Sequence, residues 1–105
     1  MRFNRHVLLV ATAALLFAAN ASAGSVLDDI RSRGKIVIAH RESSVPFSFV
    51  DASGKPVGYA IDLCKRIAEA VRVRLGLRAL GVEYLKVTPA DRITVITERR
   101  ADLEC

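Results

Sequence analysis

Lys35-Ile36-Val37-Ile38-Ala39-His40, with Arg41-Glu42-Ser43-Ser44-Val45-Pro46-Phe47-Ser48-Phe49-Val50-Asp51 behind it and Gly58-Tyr59-Ala60-Ile61-Asp62-Leu63 farther on, is the stretch that decides the fold. Residues 35–40 are a near-continuous apolar run, the pattern of a strand covered on both faces. Residues 46–50 alternate apolar and polar and predict a short strand. Asp51-Ala52-Ser53-Gly54-Lys55-Pro56 is dense in turn formers, with Gly54 able to supply a positive φ. Residues 57–59 return as the partner strand or run straight into the next helix. This order puts Arg41 at the end of a buried strand beside a polar loop, which makes a ligand-facing crevice.

Upstream, Ser25-Val26-Leu27-Asp28 reads as a capping box that opens a short helix. Asp28 and Asp29 lie where the helix dipole favours negative charge, and Gly34 is a natural stop. Downstream, Ala60, Leu63, Cys64, Ile67, Ala68, Val71 and Leu75 form one apolar stripe at helical spacing. Asp62, Lys65, Arg66, Glu69 and Arg72 take the other face, with Asp62–Arg66 and Lys65–Glu69 as i,i+4 pairs. Asp62 reads as a helix-surface or capping carboxylate. Gly76 or Gly81 closes the region, and residues 82–87 alternate again as a strand. Thr88-Pro89-Ala90-Asp91 is a second capping signature, with Pro89 at the first helical position, where its missing N–H costs nothing. Residues 92–99 follow as a short helix with Ile93 and Ile96 inward, and 102–105 begin another strand. Alternating strands and helices predict an α/β fold, a mostly parallel sheet flanked by helices. There are no repeats and no linker.

Residues 1–23 read as an address. A basic lead with Arg2, Arg5 and His6 precedes an apolar run from Val7 to Ala19, and Ala21-Ser22-Ala23 supplies the small residues of a cleavage site. The run is too short for a membrane anchor, which needs about 20 apolar residues. The expectation is a cleaved signal peptide, 1–23, with Gly24 as the mature N-terminus and the periplasm as destination. Past it the formal charge of +5 falls to +3 and is spread along the chain. That argues against nucleic acid, which calls for a clustered basic stripe. Export would place Cys64 and Cys105 in an oxidising compartment. A disulfide between them and a buried free thiol at Cys64 both stay open, the pairing being the less favoured. No zinc motif, CxxC pair or cofactor signature is present. His40 has no second ligand candidate nearby, so a metal site is not expected.

Taken in order, these elements resemble the periplasmic solute-binding proteins of amino-acid ABC transporters (solute-binding protein family 3), nearest to the glutamate/aspartate-binding branch. The residues that carry the likeness are Ile36-Val37-Ile38-Ala39-His40 with Arg41-Glu42-Ser43-Ser44-Val45-Pro46-Phe47-Ser48-Phe49, then Gly58-Tyr59, Asp62-Leu63, Asp91-Arg92-Ile93 and Asp102-Leu103-Glu104-Cys105. The resemblance implies a periplasmic-binding-protein-like (type II) lobe, with residues 24–105 as part of lobe one of a two-lobe domain that closes on an amino acid. It implies that Arg41 and Arg92 meet ligand carboxylates and that Ser43, Ser44 and Phe47 line the crevice. The chemistry agrees, because a guanidinium can donate two parallel hydrogen bonds to a carboxylate and lysine cannot. Phe49 and Tyr59 are expected in the core.

Pro89 stands where acidic-amino-acid binders of this family often carry a hydroxyl residue. The family also continues past Glu-Cys with ligand-gripping glycine and hydroxyl residues, a hinge and a second lobe. The sequence reading is therefore a truncated, monomeric, non-enzymatic binding component that works with an ABC permease of the inner membrane and has weak affinity alone. The alternatives are an enzyme on the same scaffold, a dehydratase or a cell-wall lyase (lytic transglycosylase-like), with Glu42 as the one carboxylate beside Arg41, or a non-functional gene fragment.

Overall fold

The computed structural model describes residues 25–105. The expected signal peptide, residues 1–23, lies outside the described residues, and so does the Ser25 side chain on which the first capping box depends. Helix α1 (Ser25–Arg33) ends at Gly34, whose φ of 68° and N–H···O bond of 2.9 Å to Ile30 make the expected stop. Strand β1 (Lys35–His40) follows and is buried from Ile36 onward. Next come the short strands β2 (Ser43–Ser44), β3 (Ser48–Val50) and β4 (Pro56–Val57), then α2 (Tyr59–Arg74), β5 (Gly81–Lys86), α3 (Arg92–Thr97) and β6 (Leu103–Glu104). Residues 56–59 do both things the sequence allowed: a brief antiparallel return, then the helix.

The main sheet is parallel, in the order β5-β1-β6, and β2-β3-β4 form a small antiparallel sheet beside it. β1 is central because its side chains can be buried on both faces. Ile36 packs with Ile30 of α1, with Ala68 and Val71 of α2 and with Leu75 just past its end. Val37 and Ala39 pack on the opposite face with Val87, Val95 of α3 and Ala101. The α/β architecture expected from the sequence is therefore present, with helices on both faces of a parallel sheet. Among the described residues no helix is long and apolar enough to cross a membrane.

Several details depart from the sequence pattern. The inward face of α2 is Ile61, Cys64 and Ala68, while Leu63 and Ile67 of the predicted stripe are exposed. The helix rolls toward Ile61 because Gly58, at φ 127°, brings the chain against Phe47 and Pro46, whose carbonyls accept from Ala60 and Tyr59. Tyr59 is thereby turned outward, and Phe49 is only partly buried. Glu69 pairs with Arg72, three residues on, rather than with Lys65. In α3 the buried residue is Val95, with Ile96 packed beside it, and Ile93 faces out. Cys64 and Cys105 form a disulfide, which overturns the preference for a free thiol.

Two turns are as read. Asp51 Oδ1 accepts from the Ser53 N–H, the Ser53 hydroxyl and the Lys55 N–H, which lowers its pKa, chiefly through the hydroxyl. Thr88 and Asp91 exchange reciprocal bonds: the Asp91 N–H donates to Thr88 Oγ1, and the Thr88 N–H donates to Asp91 Oδ1 at 2.7 Å. This is the geometry of a capping box. The regular part of α3 begins at Arg92, whose N–H reaches the Thr88 carbonyl.

Candidate functional site

The carboxyl ends of β1, β5 and β6 open on one side of the molecule. In open α/β sheets that is where ligands sit, at the point where the strand order reverses about the first strand. A cleft of about 460 Å³ lies there, lined by Arg41, Ser43 and Ser44 after β1 and by Lys86, Thr88 and Asp91 after β5, with Glu42, Val87 and Pro89 completing the wall. The polar loop thus faces the crevice as the sequence predicts.

Arg41 is fixed through its backbone. Ser48, fully buried in β3, accepts from the Arg41 N–H at 3.0 Å and donates its hydroxyl to the Arg41 carbonyl at 3.1 Å. The strand alternation around Ser48 is therefore inverted: the hydroxyl points in and Phe47 points out, 53% exposed. A serine is tolerated inside because both of its hydrogen-bonding roles are filled. Phe47 is not among the residues that enclose the cleft.

The Arg41 side chain meets a group that the sequence reading did not place at the site. Glu104, at the end of β6 and in register with Ala39, sits between the two arginines. Its Oε1 lies 3.6 Å from Arg41 Nε and 3.9 Å from Arg92 Nη1. Both distances exceed the usual hydrogen-bonding range. Arg41 Nε and Glu104 Oε1 are buried without a hydrogen-bond partner, as is His40 Nδ1, whose ring lies edge-on to Tyr84. Among the described residues neither the Arg41 nor the Arg92 guanidinium makes a hydrogen bond to protein. Arg92 does not line the cleft itself; it approaches from behind, through Glu104. No local pattern in the sequence marks Glu104, which reaches the site only because β6 pairs with β1.

Glu42 is half exposed and pairs with Lys86 at 3.5 Å, so it is a solvated rim residue, and it is not the only carboxylate near Arg41. Asp91 is held below the usual aspartate range by the Thr88 N–H and then the Thr88 hydroxyl, and so belongs to the cap. A second concavity, about 390 Å³ between α1 and α3, has its charged groups engaged: Arg33 grips Asp102 with two bonds, and Arg99 pairs with Asp29. Among the described residues no group of three His, Cys, Asp or Glu is placed to hold a metal ion.

Residues 36–105 match the family profile described as bacterial extracellular solute-binding proteins, family 3. The chain is 44% identical over 84 residues to the glutamate/aspartate import solute-binding protein of Escherichia coli K12, a match covering 80% of this chain and 28% of that protein. Among solved structures it resembles the ancestral amino acid-binding protein AncCDT-1, a precursor of cyclohexadienyl dehydratase, at TM-score 0.61 and 28% identity, over 73% of this chain and 31% of that one. It also resembles a point mutant of the arginine-bound form of domain 1 from TmArgBP, at TM-score 0.59 and 31% identity, over 71% of this chain and 53% of that one. The chain therefore spans well under half the length of the curated relative it matches.

Proposed function

This chain belongs to the bacterial extracellular solute-binding proteins, family 3, and we propose that it forms one side of the substrate site in the binding component of an amino-acid uptake transporter, with glutamate or aspartate as ligand. The observation that carries the reading is the Arg41 guanidinium on the cleft wall, with Arg92 gathered behind it through Glu104 and neither one hydrogen-bonded to protein among the described residues. Arginine presents five donors in a fixed fork. Donors left unused next to a crevice favour a ligand that brings carboxylates. Ser43 and Ser44 add hydroxyls to the same wall. Phe47 enters only through its exposed ring, which is available to cover a ligand from outside the cleft. The likeness to a glutamate/aspartate import protein supports the acidic preference.

In this reading residues 1–23 are a signal peptide, residues 24–105 are part of lobe one, the compartment is the periplasm, and the delivery partner is an ABC permease. Contacts from one lobe alone give weak binding, since the closing half of the site supplies the remaining contacts. The enzymatic alternative draws support from the likeness to a dehydratase precursor, but it needs a carboxyl group free to exchange a proton. Glu42 is paired with Lys86 and Glu104 stands between two arginines, which makes binding the better reading.

The test is a titration of the secreted chain, followed by NMR, with glutamate, aspartate, glutamine and arginine. Millimolar binding of the two acids, with Arg41 and Arg92 signals shifting and glutamine weaker, is expected. Equal response to arginine, or none to either acid, would refute the acidic reading; micromolar affinity would refute the one-sided site.

A further inference from the structure

Among the described residues three buried side-chain atoms lack a hydrogen-bond partner, and two of them face each other: Arg41 Nε and Glu104 Oε1. Buried polar atoms left unpaired are rare and call for a reason. Here a partly buried carboxylate, its Oε1 shielded from water, stands close enough to two guanidiniums to attract both and too far to bond either. The guanidinium donors other than the buried Arg41 Nε are thus left for another acceptor, while the charges stay gathered. We propose that Glu104 is a positioning residue for ligand capture: standing between Arg41 and Arg92, it holds the two together against their mutual repulsion and so keeps the Arg41 guanidinium on the cleft wall, ready to receive a carboxylate.

The fold holds Glu104 in this place from both sides. Leu103 and Glu104 pair with Ile38 and Ala39, the Cys105 N–H donates to the Ala39 carbonyl at 2.9 Å, and Cys105 is tied to Cys64 on α2. A two-residue strand would otherwise be a weak platform for a partly buried charge. The disulfide follows the carboxylate by one residue, so it fixes the position of the Glu104 backbone relative to Arg41. Arg41 in turn is clamped by Ser48. Only Arg92, the most exposed of the three side chains, has room to adjust. Arranging donors before the ligand arrives reduces the ordering cost of binding.

This inference rests on the acidic-ligand reading for its consequence, yet its core is measurable without ligand. Charge and geometry also predict opposite signs. Glu104→Gln removes a negative charge, so a carboxylate that merely competed with ligand would leave a site that binds acids more tightly. A positioning carboxylate gives the reverse.

The experiment records the arginine Nε–H signals of the chain by 15N NMR, without ligand and then with glutamate. In the parent, Arg41 Nε–H should be resolved and exchange slowly with water. In Glu104→Gln it should move to the position of solvated arginines and exchange at least tenfold faster, and glutamate binding should weaken about tenfold. Glu104→Asp should restore part of both, and it serves as the second variant if the glutamine form fails to fold. An unchanged Arg41 signal in a folded Glu104→Gln protein overturns the proposal, as does equal or tighter glutamate binding. If the Arg41 signal depends on Glu104 but the parent binds no glutamate, positioning stands and the ligand reading fails.

Discussion

Breaking the Cys64–Cys105 bond should cost this fold a large share of its stability. The two residues are 41 apart in sequence. Cross-linking a loop of that length removes about 13 cal/mol/K of chain entropy from the unfolded state, or about 4 kcal/mol at 25 °C. A small domain of this size has roughly 4–12 kcal/mol in total. The native side is consistent with this, because β6 is only two residues long and is held to β1 by two residue pairs flanked by the Asp102–Val37 and Cys105–Ala39 bonds. Urea unfolding of oxidised and reduced protein, followed by circular dichroism, gives the difference directly. A Cys64→Ala/Cys105→Ala form serves as a control that carries no thiols. The reduced protein should unfold at a much lower midpoint, with a steeper slope because its unfolded state is less compact. Two forms that agree within about 1 kcal/mol would refute the loop-entropy argument. Thiols that label in denaturant without reductant would refute the pairing itself.

Three further outcomes are expected. Gly58→Ala should destabilise by about 3 kcal/mol or more in the same urea assay, since the new Cβ would stand well inside contact distance of the Phe47 carbonyl at a φ of 127°; Gly34→Ala, with the same kind of φ but open space around it, should cost only about 1–2 kcal/mol. Asp102→Ala should cost about 1–3 kcal/mol by leaving the Val37 N–H, now bonded to its carboxylate at 2.8 Å, without a partner, and faster amide exchange at Val37 would report it. Asp91 has a lowered pKa in the folded state, so its capping contribution is present above the ordinary aspartate value of about 3.9 and is lost as pH falls through the folded value. Stability measured between neutral and acid pH should therefore fall less steeply in Asp91→Asn, and an identical profile would count against the cap.

The order of elements was legible along the chain. Residues 35–40 announced a central strand because burial on both faces removes any need for polar alternation. Gly34, Gly54 and the Thr88–Asp91 box marked boundaries through local backbone chemistry, and Arg41 was legible as a strand-end guanidinium beside a polar loop. Helix faces were less secure. The predicted stripe of α2 held Cys64 and Ala68, which are buried, but also Leu63 and Ile67, which are not, and it left out the fully buried Ile61; the roll of the helix is set at Gly58, which packs closely against Phe47. Ile93 and Val95 in the six-residue α3 posed the same ambiguity, since so short a helix shows less than two turns of pattern.

By itself the sequence determined the α/β class, the parallel central strand and the arginine-bearing loop at its end, all of which rest on residues close together in the chain. Tertiary structure alone decided that Ser48 turns inward to clamp Arg41, that Cys64 reaches Cys105, and that Glu104 stands between Arg41 and Arg92. The physical reason is distance along the chain. A carboxylate more than sixty residues from Arg41 becomes its neighbour only when β6 docks against β1, and no periodicity in either segment encodes that pairing.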